Sequence, residues 1–109
     1  MTTVTILRRQ DGSITGFEAK GHAMYAENGA DIVCAGISAI LQTAVLGITE
    51  VLKLDAGYEL SGGQAALILS RECDKQKEAD IVLETMLCGL KSLQMAHGEY
   101  LSIKERRCK

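Results

Sequence analysis

The 109-residue sequence contains no proline, and its eleven glycines are scattered rather than clustered. That excludes a Pro-rich or Gly/Ser-rich linker, and no internal repeat or low-complexity tract is present. The chain therefore reads as a single domain over residues 1–109, long enough for one hydrophobic core and too short for two. An excess of one charge is also missing. The net charge of -2 gives no overall electrostatic case for binding nucleic acid. Arg8-Arg9 and the basic end, Lys104, Arg106, Arg107 and Lys109, read as solvated strand ends. The four cysteines, Cys34, Cys73, Cys88 and Cys108, include no C-x-x-C pair, so neither a zinc site nor a thioredoxin-like motif is suggested. Neither a metal nor a cofactor is expected.

No targeting leader is expected either, since Met1-Thr2-Thr3-Val4 does not read as a basic segment followed by an apolar one. The longest apolar stretch, Ile32 to Leu54, is broken by Ser38, Gln42, Thr43, Glu50 and Lys53. That predicts a buried helix of a soluble protein rather than a membrane span. A cytoplasmic location with four reduced thiols is the matching expectation. What is present is ordinary for a globular protein, 47% hydrophobic and 24% charged residues.

Local patterns predict seven elements. Thr3 to Arg9 and Ser13 to Lys20 read as strands around the hairpin signal Asp11-Gly12. Gly21 to Ala30 has no period and reads as a loop. Asp31 fits a helix N-cap, opening a helix to about Leu54 that is apolar nearly all round and should be the central helix. Gly57 to Ser61 and Ala65 to Ser70 flank Gly62-Gly63 as a second hairpin. Asp74 opens a helix to about His97, with Val82, Leu83, Met86, Leu87, Leu90 and Leu93 on one face and Gly98 at C′. Tyr100 to Arg106 reads as a last strand. The fold class is α+β, a compact sandwich of ββαββαβ order with two helices on one face of a mainly antiparallel sheet.

Cys34 is the residue best placed for chemistry. With Asp31 as N-cap it would be the third residue of the helix, where free backbone N–H groups and the helix dipole favour a thiolate. Asp31, Cys34, Ser38 and Gln42 form one polar stripe on an otherwise apolar helix, as the lining of a cleft would. The plainer alternative is a small buried apolar residue, with Asp31 a cap and Ser38 bonded back to its own helix. The Asp31 carboxylate opposes a thiolate, so a nearby cation is needed. His22, at the end of the second strand, is the candidate cation and base. The plainer alternative, which spacing alone favours, is a surface loop histidine. His97 is accounted for by the dipole at a helix C-terminus. Cys73 and Cys88 read as turn and core residues, and Cys108 as a tail thiol.

The blocks Gly21-His22-Ala23, Gly29, Asp31-Ile32-Val33-Cys34-Ala35-Gly36 and Ser38-Ala39 resemble the signature of the bacterial ribosomal-processing cysteine protease (Prp) family. The resemblance covers essentially the whole chain. It implies a dyad of His22 and Cys34, with Gly21, Gly29, Asp31, Gly36 and Ser38 in supporting or substrate-binding positions. It also implies a cytoplasmic homodimer that removes a short N-terminal extension from large-subunit ribosomal protein twenty-seven, cutting after an aromatic residue. Backbone N–H groups at the helix start would hold the oxyanion, and residues 23–30 would form a lid hinged near Gly21 and Gly29. Two other functions fit the same features. One is a different thiol acyl-transfer enzyme on the same dyad, and the other a non-catalytic, dimeric ribosome-associated adaptor.

Overall fold

Alternating apolar residues build a five-stranded sheet: β1 (Thr2–Arg8), β2 (Ile14–Lys20), β3 (Ala56–Ser61), β4 (Gln64–Leu69) and β5 (Leu101–Arg107). The computed structural model describes residues 1–21, 28–61, 64–70 and 74–107, with side chains described except at residues 28–31 and 61. The expected glycine turn Gly62-Gly63 and the thiols Cys73 and Cys108 lie outside those residues. The strand order is β3-β4-β2-β1-β5. β1–β2, β2–β4 and β3–β4 are antiparallel, and β1–β5 is parallel. The ββαββαβ order and the mainly antiparallel sheet are thus as expected. In the first hairpin, Gly12 takes φ +93°, a left-handed conformation that glycine adopts without a steric cost.

Val4 and Ile6 of β1, Phe17 and Ala19 of β2, and Leu67 and Leu69 of β4 face two helices and form the floor of the core. The first helix, α1 (Asn28–Leu46), continues into one π-helical segment, Gly47–Val51. Val33, Ile37, Leu41, Ala44, Val45 and Ile48 recur at helical spacing and are buried on this floor. The second, α2 (Gln76–His97), buries Ala79, Leu83, Met86, Leu87 and Leu90. Each fully buried Leu, Ile or Phe here is worth about 1.5–3 kcal/mol relative to exposure.

Four local expectations are corrected. α1 starts at Asn28, so residues 28–30 belong to a helix rather than a loop, and Asp31 is not its N-cap. The helical run stops at Val51, short of Leu54. Lys53 turns left-handed at φ 55°, and the Leu54 N–H bonds to the Ile48 carbonyl at 2.9 Å. No glycine marks this stop, so the sequence pattern overran it. Asp74 does not open α2: Lys75 is its N-cap residue, without a side-chain cap bond. Gly98 is the C-cap and right-handed at φ -61°, because the turn is closed by the Tyr100 N–H bonding to the His97 carbonyl.

α1 is also less enclosed than a central helix would be. Only one side of it meets the sheet and another meets α2, so Ile32, Leu46 and Val51 stay exposed. Ile32–Val51 is apolar and long enough to cross a bilayer by composition. Its Val33–Ile48 row nevertheless seats on the sheet, as a core helix does.

Polar contacts fix the far end of the layers. Asp80 accepts the Ile14 N–H at 3.0 Å, locking the start of α2 to the start of β2. Arg8 bonds to both carboxylate oxygens of Glu84, to Glu105 and to the Gly12 carbonyl, joining β1, α2, β5 and the hairpin turn. Its hydrogen bond holds the Glu105 carboxyl below the usual range, and the two carboxylates hold Arg8 still further above neutrality. A depressed carboxyl pKa stabilises the fold above its unfolded value and ceases to do so as pH falls through the folded one. Arg8→Met should therefore lower stability by about 1–3 kcal/mol at neutral pH. Urea unfolding should show the gap to wild type narrowing as Glu105 becomes protonated in acid.

Candidate active site

Strand ends and the early turns of α1 meet at one corner. Thr2 begins β1 and pairs with Leu101 at the start of β5, while Thr3 pairs with Lys20 at the end of β2. The Thr2 N–H donates to the Tyr100 carbonyl at 3.0 Å. Thr2 belongs to the inward row of β1 with Val4 and Ile6, and its side chain is buried. Its Oγ1 lies 3.9 Å from Cys34 Sγ.

Cys34 is half-buried, a free thiol beside Val33, which is fully in the core. It is neither the fully buried residue of the plainer reading nor a first-turn residue. Because α1 begins at Asn28, Cys34 lies in the second turn, where its own N–H is spent within the helix. The free N–H groups are a turn away, and the dipole effect fades over that distance. Any oxyanion site at the helix start is likewise one turn before Cys34.

The polar stripe is real in direction but not enclosed: Ser38 and Gln42 are both exposed on α1. Gly36 points to α2, where an added Cβ would meet Leu93 at an ordinary 3.5 Å, so its place is helix packing. Gly29 and Asp31 belong to the first turn of α1 by backbone. His22 and residues 23–27 of the expected lid lie outside the described residues. Cys88 is corrected from core to surface: it is exposed on α2, on the side away from Leu87 and Leu90. Among the described residues, no cluster of His, Cys, Asp and Glu is arranged to hold a metal.

Gly21 joins β2 to the segment that carries His22. It takes φ +107°, and a Cβ there would strike the Met1 carbonyl and approach the Thr2 Cα to 3.1 Å. The chain therefore leaves β2 pressed against the strand that touches Cys34. Thr2 is the site residue that sequence patterns did not single out. Its signal was a hydroxyl in the buried register of β1, masked by threonine's usual role as a strand former.

The family model described as cysteine protease Prp matches residues 1–102. The chain is 35% identical over 107 residues to the ribosomal processing cysteine protease Prp of Staphylococcus aureus (strain Mu50 / ATCC 700699), covering 94% of this chain and 97% of that protein. It is 30% identical over 111 residues to the Bacillus subtilis (strain 168) protein of the same name, covering 94% and 96%. The crystal structure of the S. aureus protease in complex with a substrate peptide superposes with a TM-score of 0.87 at 29% identity, over 97% of this chain and all of that one. By fold and relationship the molecule is a cysteine protease. The chain belongs to the Prp family.

Substituting Gly21 should strain the corner, since an L side chain resists this φ and its Cβ has no room. Gly21→Ala is expected to lower stability by about 1–3 kcal/mol. Thermal unfolding alongside peptide cleavage checks this, and activity should fall as well.

Proposed function

We propose that this single-domain protein is a cytoplasmic endopeptidase that removes the short N-terminal extension of large-subunit ribosomal protein twenty-seven, with Cys34 as nucleophile and His22 as base. The observation that carries it is the half-exposed Cys34 thiol at the corner where the chain leaves β2 at Gly21, one residue before His22. The relatives are named for ribosomal processing, and one of them is seen with a substrate peptide. Carried to this chain, those names support a peptide from a ribosomal protein as substrate.

The chemistry needs a thiol, an imidazole and water, and no cofactor. His22 takes the Cys34 proton and Sγ attacks the scissile carbonyl. The C–N bond then breaks, the amine leaves with the proton from His22, and a thioester forms. Water, deprotonated by His22, attacks the thioester. The C–S bond breaks, the acid is released and the thiolate returns. Asp31, one turn before Cys34 on α1, is the candidate to orient His22. Gly29, Gly36 and Ser38 take the supporting or substrate-binding positions that the family resemblance implies.

Cys34→Ala and His22→Ala should each abolish cleavage of the extended ribosomal protein, read by intact mass, while both variants stay folded. Near-wild-type turnover by either would remove that residue from the mechanism. An adaptor would cleave nothing, and an acyltransferase would transfer the acyl group to an added amine rather than to water.

A homodimer completes the proposed function. The exposed side of the helical layer holds an apolar groove of about 580 Å³, lined by Ile40, Val51, Ile81, Val82 and Met86 among others, with no charged residue in its lining among the described residues. The Thr43 and Thr85 hydroxyls at its edge are already bonded to the Ala39 and Ile81 carbonyls. They offer water little, and Ile81, Leu46 and Val51 stand exposed on the helices that form the groove. A second copy applying the same face would cover this apolar surface. Light scattering should give twice 11.7 kDa. Ile81→Glu should give the monomer mass, and a wild-type monomer would count against the dimer.

A further inference from the structure

We propose that Thr2 is a positioning residue for Cys34: its hydroxyl donates a hydrogen bond to the Cys34 thiolate and holds Sγ toward the open side of the corner. This rests on Cys34 being the nucleophile. The starting observation is a mismatch. Thr2 occupies the inward row of β1, where the next residues, Val4 and Ile6, are fully buried. Valine would fill the same shape without placing a hydroxyl in the core, and a buried hydroxyl without a partner is destabilising. Among the described residues, the contact its Oγ1 makes is to Cys34 Sγ, at 3.9 Å.

The hydroxyl is also held in place. The Thr2 N–H is tied to the Tyr100 carbonyl, and its Cα sits under Gly21, which has no Cβ to push it away. A β-branched side chain in a strand has restricted χ1, so a fixed backbone fixes Oγ1. The hydroxyl is therefore aimed before any substrate arrives, which is when an electrostatic contact is most effective.

Protonation decides the direction of the bond. A thiol and a hydroxyl can each donate to the other. A thiolate can only accept, so once His22 has removed the proton, Thr2 must donate, and the bond gains strength from the charge. No backbone N–H at the helix start does this for Cys34, because α1 begins a full turn earlier. The same contact acts again when the thioester breaks: the C–S electron pair returns to sulfur, and the hydroxyl receives the new charge.

The test compares Thr2→Val, which keeps the shape, with Thr2→Ser, which keeps the hydroxyl. In the full-length protein, iodoacetamide alkylation of each cysteine at neutral pH is followed by peptide mapping, with exposed Cys88 as an internal control. Turnover of the extension peptide is measured in parallel. Thr2→Val should slow Cys34 alkylation relative to Cys88 by about three- to tenfold. It should lower kcat to a similar degree with KM unchanged. Thr2→Ser should recover both to within about twofold, a rescue that a purely packing role would not give. An unchanged Cys34 rate in Thr2→Val, or a Thr2→Ser variant as slow as Thr2→Val, would overturn the assignment. Because alkylation reads the thiol directly, it stands apart from the nucleophile question, which cleavage by Cys34→Ala would answer in the negative.

Discussion

The burial of one sheet face beneath two helices is the constraint on which the other features rest. Val4, Ile6, Phe17, Ala19, Leu67 and Leu69 face the same way because side chains alternate along a strand, and β1, β2 and β4 are paired in a register that aligns those rows. A slip of one residue would send Ile6 and Phe17 to solvent. The register in turn fixes where each strand starts and stops. That is what brings the first residue of β1, the last of β2 and the first of β5 to one corner.

Two helices are enough to cover that face and too few to cover each other. α1 is buried along Val33, Ile37, Leu41, Val45 and Ile48 and open along Ile32, Leu46 and Val51. α2 is open at Ile81. The helices approach closely through small residues: Gly36 meets Leu93, Gly47 meets Val82, and Gly89 meets Ile40. A layer this thin leaves an apolar outer surface, and the same thinness leaves the Cys34 thiol half open at its edge. A thicker α/β layer would have buried both. Exposure of the Cys34 thiol and exposure of an apolar outer face thus share one physical origin.

The opposite end of the layers is held by charge rather than by apolar contact. Arg8 links α2 to β1 and β5 while it is largely buried itself, and Asp80 ties α2 to β2. These bonds lie far from Cys34 along the strands. The corner that holds Cys34 is built instead from backbone bonds, a glycine and a threonine. Charged contacts are concentrated at one end of the sheet, and the half-buried thiol lies at the other.

The sequence alone determined the order of the elements, the apolar face of α2 and the hairpin at Gly12. Periodicity and turn chemistry are local, so they survive in one dimension. The blocks around His22 and Cys34 carried the family for the same reason, since their spacing along the chain is itself the signal. Helix ends were less legible. Asp31 looked like a cap and lies inside α1, and the stop at Lys53 carries no glycine, because tertiary contacts outweigh capping preferences of about 1 kcal/mol. Cys88 is exposed rather than in the core: helical spacing tells which residues share a face, not how far the neighbouring layer reaches. Only the tertiary structure decided the parallel pairing of β1 with β5, and with it the meeting of Thr2 and Cys34 across thirty-two positions. Strand order is set by how whole faces pack, and no local pattern of residues contains it.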